Sequence, residues 1–167
     1  TPQLSALGAD GVVFSNAWGS AACTPARAMI NTGLYGIHSG IGSNRSAGLP
    51  LHTKILPERL AANYTSAAIG KWHLGRTGGM APEDQGFDYT RSNRGVQSGM
   101  KNRLTGFATH DPKDPYRLDE NGFPFDQTTE DAMTFVRENQ GEPFFLYFAT
   151  WLVHTPIMMH SEQLLRK

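Results

Sequence analysis

The chain has a single cysteine, Cys23, so no internal disulfide can staple it. It also lacks any apolar run of the about 20 residues that a membrane-crossing helix needs, so the sequence calls for no membrane. Neither sign of charge prevails, because 15 Lys and Arg stand against 15 Asp and Glu. A balance of that kind supplies no electrostatic footprint for nucleic acid or an anionic lipid surface. Internal repeats and low-complexity tracts are missing, and Thr1-Pro2-Gln3-Leu4 has neither the basic nor the apolar segment of a signal peptide. What is present is 167 residues, 39% hydrophobic and 18% charged, which is the size and composition of one globular domain rather than a disordered chain.

The order of elements points to an α/β fold. Thr1 and Pro2 open a short helix with Leu4 and Leu7 as its apolar stripe, and Val12, Val13 and Phe14 then read as a buried strand. A helix is predicted from Thr24-Pro25 to a C-cap at Gly33. Leu56, Leu60 and Tyr64 recur at helical spacing, followed by a strand over 65–72. The stretch from Gly75 to about Pro124 reads as one long irregular insert, a length that in a compact domain points to a functional loop. Thr128 to Asn139 is the clearest helix, capped by Thr128 or Thr129, with Ala132, Phe135 and Val136 facing the core. The apolar run Phe144-Phe145-Leu146-Tyr147-Phe148 is that of a buried strand. Helices alternating with strands predict a mostly parallel sheet flanked by helices.

Three places carry candidate chemistry. Cys23 stands just before a proline-initiated helix, where backbone N–H groups and the positive end of the helix would lower a thiol pKa or hold an anion. Arg27 lies one turn further on and could fork onto an oxyanion. A buried, inert cysteine after a strand is the other reading of Cys23 and stands beside the first. Lys71 and His73 sit at a strand's carboxyl end, and period-two alternation gives them one face with Trp72 on the other, as a core residue. A plain exposed strand end is the alternative for that pair. His154 follows the apolar strand. Ligands of open α/β sheets bind beyond the carboxyl ends of strands, and all four reactive side chains fall at or near such ends. His38, His52, His110 and His160 fit surface or structural roles, and Arg91, Arg94, Lys101 and Arg103 read as a solvated basic loop.

Cys23-Thr24-Pro25-Ala26-Arg27, with Thr32-Gly33 beyond it, resembles the signature of type I sulfatases. Gly70-Lys71-Trp72-His73-Leu74-Gly75 is similar to that family's second motif, and Gly86-Phe87-Asp88-Tyr89 and His154-Thr155-Pro156 match in register. The resemblance runs from Thr1 to about Pro156 and implies an alkaline-phosphatase-like fold. It implies that Cys23 is oxidised by a formylglycine-generating enzyme to formylglycine, whose hydrate binds calcium and attacks the sulfur of a sulfate ester. Arg27 would hold the hydrate and Lys71 the sulfate oxygens. His73 would take the proton whose removal expels sulfate, and His154 would protonate the leaving alcohol. Sulfated glycans and aryl sulfates are the implied substrates, and a periplasmic, secreted or lysosomal setting goes with them.

The family's metal cage needs carboxylates before the first helix and well beyond the last strand. Cys23, as formylglycine, is the one metal ligand that can be placed on this sequence. Residues 1–167 are therefore read as a partial catalytic domain. Phosphonate or phosphodiester hydrolysis on the same scaffold, and a non-catalytic fragment, are the competing functions.

Overall fold

The computed structural model describes residues 2–75, 78–93 and 127–150. Its centre is a three-stranded parallel sheet. The middle strand, β1 (Thr65–Lys71), pairs on one side with β2 (Tyr89–Asn93) and on the other with β3 (Phe144–Ala149). Ala67 lies opposite Tyr89 and Leu146, and Ile69 opposite Arg91 and Phe148. Helices α1 (Pro2–Ala9), α2 (Cys23–Thr32) and α3 (Gly36–Ser39) precede the sheet, and α4 (Gln127–Asn139) comes before β3.

Alternation along the strands sorts the core into two layers. Ala68 and Trp72 turn to one side, where they join Ala28 of α2, Ile41, Leu49, Ile55, Leu74 and Phe87. Ala67 and Ile69 turn to the other, against Ala132 and Phe135 of α4. β3 divides likewise. Phe145 and Tyr147 pack on the α2 side and Phe144 and Leu146 on the α4 side. A strand apolar on both faces is what a sheet covered by helices on both sides requires. The indole of Trp72 is fully buried and donates its N–H to the Met80 carbonyl at 2.9 Å. Its burial agrees with the core role expected of it.

Asp88 fixes how β2 enters the sheet. The backbone N–H and the hydroxyl of Ser66 both donate to its carboxylate, at 2.8 and 2.7 Å. The pair ties the head of β2 to the head of β1 before the ladder begins.

Several sequence expectations need correction. Val12, Val13 and Phe14 form no strand, and Val12 and Phe14 are each 79% exposed. None of the described elements covers them, so apolar content alone did not make them core. Leu4 and Leu7 are likewise exposed, and α1 buries no residue. The expected helix from Leu56 to Asn63 is only a single 3-10 turn, Pro57–Arg59, which ends where Leu60 turns extended at ψ 156. The long irregular insert contains β2, whose Arg91 lies over the Tyr89 ring at 5.0 Å rather than in a loop. Arg94, Lys101 and Arg103 lie outside the described residues. Thr128 and Thr129 fall inside the first turn of α4 and so do not cap it. Val136 is at the solvent edge of that helix.

Candidate functional site

Cys23 is the first residue of α2 and is half-buried. The residue before it, Ala22, occupies the N-cap in extended conformation and offers no side-chain cap. Alanine is among the poorest N-caps because it has no acceptor for the free N–H groups of the first turn. The acceptor comes instead from a distant loop. The backbone N–H of Thr24 donates to Asn44 Oδ1 at 2.8 Å. At the other end Gly33 takes the left-handed cap conformation, φ 72, as the sequence predicts.

Arg27 stands one turn beyond Cys23, so both occupy the same side of α2. Its Nη1 donates to the backbone carbonyl of Lys71 and, at 3.1 Å, to the hydroxyl of Tyr147. Tyr147 reaches it because alternation along β3 turns that residue to the α2 side. One guanidinium therefore links α2 to the carboxyl ends of β1 and β3.

Lys71 is the last residue of β1 and is only 4% exposed. By alternation it belongs with Ala67 and Ile69. β1 ends there, and His73 has a left-handed backbone, φ 62, which breaks the period-two pattern. The expectation that Lys71 and His73 share a strand face therefore fails as a strand argument. What joins them is the turn that leaves the strand. Gly70, at φ 98, lies so close to the Ala149 carbonyl oxygen that a Cβ would overlap it. The glycine in this motif is thus required by the β1–β3 ladder.

His154 lies outside the described residues, as do His110 and His160. His38 and His52 are exposed. Among the described residues no three of His, Cys, Asp and Glu come together in a way that could hold a metal. The carboxylate of Asp88 is engaged by Ser66.

Two residues of this neighbourhood were not singled out from sequence. Tyr147 was hidden in an apolar run, where its hydroxyl was the only cue. Asn44 was hidden in a glycine- and serine-rich loop, where turn formation explains an asparagine equally well.

Comparison with known proteins follows the same residues. The sulfatase family profile matches residues 1–165. Arylsulfatase J of Mus musculus is 31% identical, over 94% of this chain and 29% of its own length. Human N-acetylgalactosamine-6-sulfatase is 29% identical, over 94% of this chain and 35% of its own. The crystal structure of the PsFucS1 sulfatase from Pseudoalteromonas sp. superposes with a TM-score of 0.62 at 21% identity, over 93% of this chain and 39% of that one. The chain thus spans about a third of the length of the curated relatives it matches.

Proposed function

From the premise that this chain belongs to the sulfatase family, we propose that it carries the nucleophile end of a sulfuric ester hydrolase, with Cys23 as the reacting position after conversion to formylglycine. The observation that carries the reading is the bridge from Arg27 to the Lys71 carbonyl. It draws the helix opened by Cys23 and the turn holding Lys71 and His73 to one end of the sheet. Ligands of parallel sheets bind at that end.

The formylglycine, once formed, supplies a hydrated aldehyde whose hydroxyl is a competent nucleophile toward sulfur. Around it the chain's own groups have separable tasks. The first turn of α2 turns the partial positive charge of a helix start toward an anion. Arg27, held by Tyr147, adds a fixed cation one turn away that offsets the negative charge developing on the sulfate oxygens. Lys71 is assigned to the sulfate itself, as a point charge at the strand end. His73 is assigned to proton removal and His154 to protonation of the leaving alcohol. The net change is cleavage of the sulfur–oxygen ester bond by water, giving an alcohol and sulfate.

Calcium takes about six to eight oxygen ligands, largely carboxylate. The described residues form no such cage. The formylglycine at position 23 fits as one ligand, and residues 1–167 are proposed as a partial catalytic domain whose cage is completed by other parts of the polypeptide. A sulfated sugar or aryl sulfate is the proposed substrate class, in keeping with the names of the two curated relatives.

The test is turnover. The complete polypeptide is co-expressed with a formylglycine-generating enzyme, the Cys23 peptide is weighed, and aryl sulfate, phosphonate monoester and phosphodiester are offered in turn. Conversion at Cys23 with preference for the sulfate ester is expected. A thiol that persists at Cys23, or a preference for the phosphonate, would overturn the reading.

A further inference from the structure

The nucleophile's helix begins without a cap of its own. Ala22 has no side-chain acceptor, yet the N–H of Thr24, the residue after Cys23, is satisfied by Asn44 from twenty residues away. Local capping by serine, threonine or aspartate is the usual solution and is absent here. The loop that brings Asn44 in is held on both flanks, by Ile41 and Leu49, which are buried in the same core layer as Ala28 of α2. Its tip is a tight turn in which Ser43 Oγ accepts the Arg45 N–H at 3.2 Å and the Ser43 carbonyl accepts the Ser46 N–H at 3.2 Å. The acceptor is therefore placed by packing against the core that α2 itself helps to build.

The chemical identity of the acceptor matters as well as its position. Aspartate would cap at least as well, because a carboxylate is favoured at the positive end of a helix. It would also set a negative charge against the helix start to which the proposed anionic substrate is drawn. The asparagine carbonyl satisfies the N–H and leaves the helix end positive.

We infer that Asn44 is a positioning residue for the nucleophile, a neutral cap supplied in trans to α2 that fixes the first turn under Cys23 while keeping that end attractive to an anion. The inference rests on the sulfatase reading for the identity of the anion, and on the hydrogen bond alone for the cap.

The experiment uses the complete polypeptide in its formylglycine form, with Asn44→Ala and Asn44→Asp, and reads both amide exchange and kinetics. In Asn44→Ala, exchange in a peptide containing Thr24 should quicken about five- to tenfold, and kcat on an aryl sulfate should fall by a similar factor with KM little changed. In Asn44→Asp, exchange should return to the original rate and kcat should largely recover. KM, and the dissociation constant for inorganic sulfate, should rise about tenfold from like-charge repulsion. A purely structural asparagine would move stability in both variants without this split between kcat and KM. Unchanged exchange in Asn44→Ala, or unchanged sulfate affinity in Asn44→Asp, would overturn the inference. Absence of sulfate-ester turnover in the parent protein would instead count against the sulfatase reading, and the exchange and inorganic sulfate measurements would still decide the role of Asn44.

Discussion

Arg27 donates to the backbone carbonyl of Lys71, so the start of α2 and the end of β1 are held by one side chain. The same nitrogen also reaches the Tyr147 hydroxyl. Lysine at this position would keep the charge but lose the longer, planar guanidinium that sets one nitrogen on both acceptors. We expect Arg27→Lys in the complete, formylglycine-bearing polypeptide to lower kcat on an aryl sulfate about 100-fold, the usual scale for removing one stabilising donor from a transition state. Retention of more than half the activity would show that Arg27 is a structural strut only.

Tyr147→Phe tests the other end of that link. It removes the hydroxyl and leaves the ring, which packs edge-on to Trp72. A hydrogen bond from a charged donor, here only partly buried, should be worth about 1 kcal/mol. Urea denaturation should show a lower midpoint at unchanged slope. An unmoved midpoint would mean that Arg27 finds an equal partner elsewhere.

The α4 side of the sheet offers a paired test of packing. Phe135 is 3% exposed, stacks on Tyr89 and meets Phe144 edge-on, whereas its neighbour Val136 is 36% exposed. Phe135→Ala should cost roughly 3–5 kcal/mol, and Val136→Ala no more than about 0.5 kcal/mol. Equal effects from the two would contradict the assignment of the helix face.

Calcium binding tests the proposed division of the site. Residues 1–167 alone should bind calcium weakly in a calorimetric titration and show no aryl sulfate turnover even when Cys23 is converted, while the complete polypeptide does both. Tight binding by residues 1–167 would show that carboxylates within them, Asp84 or Asp111 among them, build the cage.

The sequence made some of this legible and hid the rest for physical reasons. Pro25 near the start and Gly33 just past the end marked α2, because proline suits a first turn and glycine a left-handed cap. Continuous apolar runs marked β1 and β3. β2 was not legible, since Tyr89–Asn93 is polar in four of five positions and is a strand because β1 pairs with it. Val12 to Phe14 misled in the opposite sense, as apolar content indicates a preference for burial and does not supply the surface to bury against. At the candidate site, residue types left Cys23, Arg27, Lys71 and His73 open, and the resemblance to the sulfatase motifs singled them out. The groups that orient them, Asn44 and Tyr147, act through hydrogen bonds between distant positions that no local pattern encodes.

The left-handed backbone at His73 has a consequence for what the protein can become. A residue with a Cβ at φ 62 costs the fold about 1–2 kcal/mol relative to glycine, which adopts that region freely. Selection for thermal stability alone would drift this position to glycine or asparagine, and selection for the proton transfer proposed for His73 would hold it at histidine. A relative that keeps the sheet but has glycine here would be expected to melt higher and hydrolyse nothing, so position 73 is a place where lineages that use this scaffold for binding should part from those that use it for catalysis.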